Sequence, residues 1–350
     1  MNPTRRIPRN IFAGFDFGSD VALAAIAVKS KNGGLEILGA GEAPSRGIRD
    51  GVMTHIGDVV ETVVEALDKA ERSSGCRVQT LYYNLDDPLT ESVFSRGSRT
   101  LKGEGEIRFS DAEEARKSSE RLIRHFEKTI LYSRSLHFVI DDRDTVFNPV
   151  GVFGQKLDIL THVLMVKSST CDVWERVMRR AQVRRSEAVL SMWSSVYGVL
   201  EPAERVGRKL ICDAGDDFLN ICAFENNMIT GYRILLSSQT ALAEMGRSVV
   251  SAAKEFAGKE GAFAELVLTG DRASDEKTFE AIKTACEFPV RVAAPKGISG
   301  LGEPRYAALA GLLRVAEELE SRAPCAILNR EKSLVGNAKE KFLSLLNEYF

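Results

Sequence analysis

The 350-residue sequence lacks most of the features that assign a chain to a functional class at sight. No apolar run approaches the roughly 20 residues that a membrane-spanning helix needs. The six cysteines are scattered, with neither a CxxC pair nor a Cys/His cluster at metal-ligand spacing. Neither charge is in excess, because 47 basic residues face 49 acidic ones. We therefore expect a cytoplasmic protein with reduced thiols that neither spans a membrane nor binds nucleic acid.

Side chains for acid–base or nucleophilic chemistry are also few and dispersed. The four histidines are far apart and have no neighbouring cysteine or acidic ligand set; they are His55, His125, His137 and His162. No Ser/His/Asp or Cys/His arrangement can be argued from the sequence. We predict neither a catalytic residue nor a metal site.

What the sequence does contain is a structural pattern that occurs twice. Each copy has three apolar, β-prone runs separated by turn signals and then a run of helical periodicity. The first copy lies at residues 11–17, 21–28, 35–41 and 56–70. The second copy lies at residues 209–212, 218–224, 228–235 and 241–256. An internal duplication of this kind predicts two similar halves.

Residues 87–166, between the two copies, have a different character. They contain extended runs, a charged helical pattern at residues 111–131 and a further strand at 157–166. Ser110 and Glu113 have the spacing of a capping box at the start of that helix. The segment therefore predicts an α+β subdomain inserted into the first half.

Each copy begins with a strand that runs into Asp-x-Gly and a turn. The actin, Hsp70 and sugar-kinase superfamily builds its two phosphate loops from this element, in which glycine amides hold phosphate and a carboxylate organises a metal ion or water. The sequence therefore predicts an α/β, actin-like duplicated fold with an inserted α+β subdomain in the first half. The candidate cofactor-binding residues are Asp16, Gly18, Ser19, Asp213, Gly215 and Gly270.

Several segments resemble the FtsA family of bacterial cell-division proteins. They are GAGEAPSRGIRDG at residues 39–51 with the helical pattern after it, NPVGVFG at 148–154 and PKGISGLGEPRYAALAGLL at 295–313. The resemblance covers nearly the whole chain in order. It implies a cytoplasmic scaffold that links division components to the cytoplasmic membrane. It also implies divisome partners, with FtsZ as a candidate, and self-association into dimers or filaments.

The candidate nucleotide loops depart from the pattern that the resemblance implies. Asp20 stands where the family has a phosphate-facing basic residue, and Gly215 is followed by Asp216, Asp217 and Phe218 instead of small residues. A carboxylate beside a triphosphate repels it. We therefore predict that ATP and Mg²⁺ bind weakly or not at all, and that the chain is a pseudo-ATPase rather than an enzyme.

The second half is also short for an FtsA-like protein. Only the helix at residues 241–256 and a brief linker precede the next predicted strand at 266–269. The family usually has a subdomain there that takes the FtsZ tail. The usual FtsZ-docking site is therefore expected to be missing.

The last residues carry an apolar stripe at helical spacing, formed by Ala338, Phe342, Leu345, Leu346 and Tyr349. A tethered stripe of this kind either lies on a membrane or docks back on the body. FtsA-like proteins end in an interfacial membrane helix, so we favour peripheral attachment to the cytoplasmic face of the membrane. The predicted membrane-binding residues are Phe342, Leu345, Leu346 and Tyr349.

These observations divide the chain into six predicted parts. They are the first half (1–86), the inserted subdomain (87–166), the return and crossover of the first half (167–200), the second half (201–319), a linker (320–337) and a C-terminal amphipathic helix (338–350). Two other functions stay open: a PilM-like adaptor for pilus or secretion assembly, and an active ATPase or sugar kinase of the same superfamily.

Overall fold

A computed structural model describes residues 11–30, 33–237, 240–258 and 261–321. The helices are α1 Ile56–Ser74, α2 Phe109–Ile123, α3 Ser168–Arg180, α4 Ser191–Val199, α5 Leu242–Ala257, α6 Glu276–Ala285 and α7 Ala307–Ser321. The strands of the first half are β1 Ile11–Phe17, β2 Val21–Lys29, β3 Leu35–Pro44, β4 Ile48–Arg49, β5 Val52–Met53 and β6 Thr80–Leu85. The next strands are β7 Glu91–Glu106, β8 Lys128–Ile140, β9 Asp144–Val146, β10 Phe153–Lys167 and β11 Arg185–Leu190. The last strands are β12 Arg208–Ala214, β13 Phe218–Glu225, β14 Met228–Leu236, β15 Leu266–Thr269 and β16 Val290–Val292.

Two five-stranded sheets have the same topology. The first has the order β11-β6-β1-β2-β3, and the second has the order β16-β15-β12-β13-β14. In each, the strand that carries Asp-x-Gly pairs antiparallel with the next strand of its hairpin and parallel with a strand on its other side. The predicted α/β duplication is therefore confirmed. Because the two central strands are equivalent, their carboxyl ends occupy equivalent places in the two halves.

Helices α4 and α7 pack together between the two sheets. A methyl group on Gly311 of α7 would lie 1.6 Å from the carbonyl oxygen of Ser194 in α4, and one on Gly198 would lie 2.0 Å from that of Ala307. Such distances are shorter than any real contact, so these two glycines allow the helix backbones to touch. One continuous apolar core surrounds this crossing and includes Phe12 of the first sheet and Ile211 of the second.

The inserted domain is a four-stranded antiparallel sheet with the order β7-β10-β8-β9 and α2 on one face. The predicted helix over residues 111–131 was too long, because α2 ends at Ile123 and residues 128–131 begin strand β8. The predicted Ser110–Glu113 capping box was wrong as well. The helix begins at Phe109, and the carboxylate of Asp111 accepts the backbone N–H of Arg108 at 3.0 Å.

Two side chains of the inserted domain bond the backbone of one residue of the second half, Ile229. The backbone N–H of Ile229 in β14 donates to the hydroxyl oxygen of Tyr132 at 2.7 Å, and Nδ1 of His162 bonds the carbonyl oxygen of Ile229 at 2.8 Å. The carbonyl can only accept, so Nδ1 carries the proton and Nε2 accepts from the hydroxyl of Ser92. Burial lowers the pKa of His162 to about 4, so the ring is neutral at physiological pH. The inserted domain is thereby fixed to the second half as well as to the first.

The described part of the chain ends with α7 at Ser321, two residues inside the predicted linker. The predicted C-terminal helix at 338–350, with its membrane-binding residues, lies outside the described residues. No helix within them is long and apolar enough to cross a membrane.

Candidate functional site

The loops at the carboxyl ends of β1 and β12 face each other across one cleft between the halves. All six predicted cofactor-binding residues line this cleft: Asp16, Gly18, Ser19, Asp213, Gly215 and Gly270. The cleft has a volume of about 110 Å³. The duplicated hairpins therefore bring together residues that lie about 200 positions apart in the chain.

The first loop is held by bonds within its own half. Asp16 is the next-to-last residue of β1, which pairs with β6, and its Oδ1 atom accepts Nδ2–H of Asn84 at 3.0 Å. The hydroxyl of Ser45, at the end of β3, donates to the carbonyl oxygen of Gly18 at 2.6 Å. Because a methyl group on Gly18 would lie 2.6 Å from the carbonyl oxygen of Val21, a glycine is required there.

The second loop is built around Asp213. The hydroxyl of Ser195, from α4, donates to Oδ2 of Asp213. Gly270 follows β15 with φ +93°, and a methyl group there would lie 2.3 Å from Oδ1 of Asp213. Both the backbone conformation and this close approach require glycine at position 270.

The two loops also contact each other directly. The backbone N–H of Asp217 in the second loop donates to the hydroxyl oxygen of Ser19 in the first at 3.1 Å. Next to this bond, the ring of Phe218 covers Gly51 so closely that a methyl group on Gly51 would lie 1.9 Å from Cζ of the ring. Backbone amides of such loops are the groups that cradle phosphate in actin-like proteins. In this chain one such amide, that of Asp217, instead donates to Ser19 of the opposite loop.

The electrostatic character of the cleft is acidic. Burial, together with the charge of Asp213, raises the pKa of Asp16 to about 6 and that of Asp86 to about 7. Burial also raises the pKa of Asp213 and of Asp217. Arg305 is the basic side chain among the lining residues. Because these carboxylates are buried and repel one another, the cleft retains protons near neutral pH.

Sequence reasoning missed the contribution of β6 to the cleft. Asn84 and Asp86 lie at its carboxyl end and line the cleft, and neither the Oδ1 atom of Asn84 nor that of Asp86 has a hydrogen-bond partner among the described residues. The signal was present, since an apolar strand ends there in two acidic residues. Asp87 has a structural role instead, because its carboxylate accepts the backbone N–H groups of Leu89 and Lys167.

Metal ligands are not grouped in this cleft or elsewhere in the described ranges. No set of three or more His, Cys, Asp or Glu side chains there is arranged to hold a metal ion.

The duplicated sheets, the facing loops and the inserted α+β domain define an actin-like protein. The chain of a PilM–PilN type IV pilus biogenesis complex has the same fold, with a TM-score of 0.60 at 13% identity over 88% of this chain and 99% of that chain. Residues 89–165 match the family model described as the SHS2 domain inserted in FTSA. The inserted domain is therefore similar to the domain that is inserted in FtsA.

Sequence comparison gives the same result along more of the chain. The cell division protein FtsA of Pseudomonas aeruginosa is 25% identical over 219 residues, which are 63% of this chain and 52% of that protein. The FtsA of Neisseria meningitidis serogroup B is 23% identical over 88% of this chain and 91% of that protein. The chain thus matches about half the length of the first relative and most of the second. It is a divergent relative of the FtsA cell-division proteins.

Proposed function

We propose that this chain is a cell-division scaffold of the FtsA type, which joins division components to the cytoplasmic face of the membrane without using ATP. The observation that carries the proposal is the bond between the two loops. The amide of Asp217, which would have to point at a phosphate, donates to Ser19 of the opposite loop. The kinship with FtsA supports the division role, and the closed cleft supports the loss of nucleotide binding.

The residues of the cleft do not fit a triphosphate with its Mg²⁺ ion. Asp20 and Asp216 are exposed at the turns of the two loops, and Asp217 lies between the loops. Their charges oppose an anion at each approach. The ring of Phe218 fills space that small residues would leave open for phosphate. We therefore assign no catalytic step to this cleft.

A scaffold needs surfaces that bind its partners. The subdomain of the second half that FtsA proteins use to bind FtsZ is shortened in this chain. Helix α5 ends at Ala257 and β15 begins at Leu266, so the second half has no room for a further subdomain between them. We propose that division partners bind elsewhere, with the inserted domain as the first candidate, and that FtsZ binding in the usual manner is lost.

Attachment to the membrane is proposed from the sequence at 338–350. Phe342, Leu345, Leu346 and Tyr349 form one apolar stripe, and Lys and Glu residues balance each other around it. Burying each large apolar side chain is worth roughly 1.5–3 kcal/mol before the cost of ordering the helix. Insertion of the stripe, rather than attraction to lipid charge, therefore supplies most of the binding energy.

Flotation with liposomes tests this part of the proposal. The full chain should float with the lipid, and Leu345→Glu should abolish flotation without changing the melting temperature. Asn347→Glu is the matched control, because it adds the same charge on the polar face of the same predicted helix. Equal flotation of the full chain and a chain ending at Asn337 would refute membrane attachment. A lower melting temperature after that truncation would place the segment on the protein body.

The identity of the bound partners distinguishes the division scaffold from a PilM-like adaptor. Capture of division proteins from native membranes by the tagged full chain supports the scaffold, whereas capture of pilus or secretion components supports a PilM-like adaptor. The relatives by sequence are cell-division proteins, which favours the first outcome.

A further inference from the structure

Carboxyl groups greatly outnumber basic groups on the walls of the cleft between the two halves. Among the described residues that line it, Arg305 is the basic one, and the aspartates are Asp16, Asp86, Asp213, Asp217 and Asp271. The guanidinium of Arg305 also pairs with a residue outside the lining, since its Nε atom lies 3.0 Å from Oε2 of Glu303. The cleft therefore carries a net negative charge once its carboxyl groups ionise.

Three of these carboxyl groups form an inner group, which consists of Asp16, Asp86 and Asp213. The bonds given for them come from neutral donors, namely the amides of Asn84 and Asn220 and the hydroxyl of Ser195. No ion pair is formed by the inner group within the part of the chain that the structure describes. An ammonium group would supply both the opposite charge and three N–H donors.

The side chain of Asn84 gives a second and independent indication of a ligand. Asn84 lines the cleft and is only 5% exposed, and its Oδ1 atom has no hydrogen-bond partner among the described residues. The Oδ1 atom of Asp86 is in the same situation. A buried acceptor without a donor is costly, and an amide oxygen can only accept. The ligand that these two atoms require is therefore a donor of hydrogen bonds.

Further carboxyl groups form an outer group on the loops around the cleft, which consists of Asp20, Asp50, Asp216 and Asp217. Burial raises the pKa of Asp217, and the charges of the other three members raise it further, so the four lie within electrostatic reach of one another. Asp271 connects the two groups, because desolvation and then the charges of Asp213 and Asp216 raise its pKa. Negative charge thus extends from the interior of the cleft to its exposed loops.

The remaining walls of the cleft suit a narrow aliphatic chain. Apolar side chains line it together with the carboxyl groups, and they are Phe17, Ile48, Trp174 and Phe218. Methylene groups pack on such side chains, and the face of an aromatic ring attracts an ammonium group. The volume of about 110 Å³ is well below the roughly 300–1,000 Å³ of sites for drug-sized molecules. The cleft therefore fits one end of a thin, positively charged molecule.

We propose that the cleft binds a linear aliphatic polyamine, with one ammonium group at the inner group and Asn84 and another at the outer group. The spacing of charge along such a chain matches two separate sets of carboxylates, which a compact cation cannot contact together. The inference rests on the proposed loss of ATP binding, because the amine occupies the space between the two loops. It gives the cleft a ligand of the opposite charge to a nucleotide.

Isothermal titration calorimetry of the full chain with spermidine, at constant ionic strength and without nucleotide, tests the inference. Spermidine should bind saturably at one site. Butylamine, which has a single ammonium group like a lysine side chain, should bind at least about tenfold more weakly, because it contacts only one group of carboxylates.

Asp86→Asn is the diagnostic variant, because it removes one inner charge at nearly constant shape. It should raise the dissociation constant for spermidine at least about tenfold. Asp144→Asn is the matched control, because it removes the same charge from an exposed position in β9 of the inserted domain. This control should bind spermidine as the natural chain does. Arg305→Gln should tighten binding, since it removes the basic group of the lining, and this gain cannot result from a folding defect.

The pH dependence of the affinity provides a further readout. The ammonium groups keep their protons at neutral pH, with pKa values near ~10.4 as in lysine. The pKa of Asp86 is about 7, so its ionised fraction rises from about one-tenth at pH ~6 to about nine-tenths at pH ~8. Spermidine should therefore bind at least about tenfold more tightly at pH ~8 than at pH ~6, and Asp86→Asn should reduce this difference.

Three results would overturn the inference. They are the absence of saturable spermidine binding, an unchanged affinity in Asp86→Asn, and binding of butylamine or Mg²⁺ as tightly as spermidine. The last result would assign the cleft to a single ammonium group or to a metal ion. Because no nucleotide is present in these titrations, their failure leaves the loss of ATP binding to be decided separately by calorimetry with ATP.

Discussion

The backbone N–H of Asp217 donates to the hydroxyl oxygen of Ser19 at 3.1 Å, across the cleft between the two halves. The two residues belong to the two loops that would share a nucleotide in an actin-like ATPase. Their contact is a direct bond between the two halves. The halves therefore need no ligand to stay together at this point.

Removing the bond between Asp217 and Ser19 should lower the free energy of unfolding without allowing nucleotide to bind in the cleft. A hydrogen bond of this kind contributes about 0.5–1.5 kcal/mol, so Ser19→Ala should lower the free energy of unfolding by about 1 kcal/mol. Urea unfolding measures the loss. ATP should not raise the stability of Ser19→Ala, because the acidic loop residues remain. An increase in stability with ATP would show that the bond alone excludes the nucleotide.

The close contact between Gly51 and Phe218 predicts a non-additive pair of substitutions. Gly51→Ala should destabilise the fold by about 1–3 kcal/mol, because Gly51 has φ +70° and the new methyl group would meet the ring. In the double variant with Phe218→Ala the clash disappears and only the backbone strain remains. The double variant should therefore lose less than the sum of the two single losses, and simple additivity in urea unfolding would contradict the contact.

The carboxylate of Asp86 predicts a dependence of stability on pH. Its pKa is about 7 in the folded chain against 3.8 for an unperturbed aspartate, so the folded state holds the extra proton between those values. Stability from this group is therefore present at low pH and is lost as the pH rises through about 7. Asp86→Asn should be more stable than the natural chain by about 1–3 kcal/mol at pH ~7.5, and this advantage should shrink at pH ~5.5.

The neighbouring carboxylate provides the control for that measurement. Asp87 accepts the backbone N–H of Lys167 and the hydroxyl of Thr170. Asp87→Asn should therefore destabilise the chain at both pH values. If Asp86→Asn is destabilised to the same extent at both pH values, then ionisation of Asp86 does not lower the stability of the folded chain as predicted.

The bonds to the backbone of Ile229 predict the cost of detaching the inserted domain. Tyr132→Phe leaves the buried N–H of Ile229 without its partner, which costs about 1–3 kcal/mol. Amide hydrogen exchange at Ile229 should accelerate in the same variant. Tyr306→Phe, at a tyrosine whose hydroxyl accepts from the exposed Arg305, should change stability by less than about 0.5 kcal/mol. Equal effects of both substitutions would mean that the inserted domain is not held at Ile229.

Much of the fold could be predicted because local patterns determine it. Alternating apolar runs and turn residues predicted both hairpins, and their repetition placed Asp16 and Asp213 at equivalent strand ends. The end of α2 was predicted too late, because the charged helical pattern was extended to residue 131, whereas β8 begins at Lys128. Pairing with β10 makes residues 128–131 part of strand β8, and a contact between such distant segments cannot be predicted from the local sequence.

The site was predicted in part for the same reason. Its loop residues have a local signature, whereas the bond from Asp217 to Ser19 and the cover of Phe218 over Gly51 arise only when the halves meet. Asn84 and Asp86 reach the cleft because β6 runs parallel to β1, which the sequence order alone does not state. The division of the chain into six parts and the membrane segment stay predictions.

Isothermal titration calorimetry of the full chain with ATP and Mg²⁺ tests the nucleotide-free cleft most directly. We expect no saturable heat in the micromolar range and no phosphate release. Micromolar binding accompanied by ATP turnover that Asp213→Ala abolishes would contradict the proposal, because it would show that the acidic loops still admit a triphosphate.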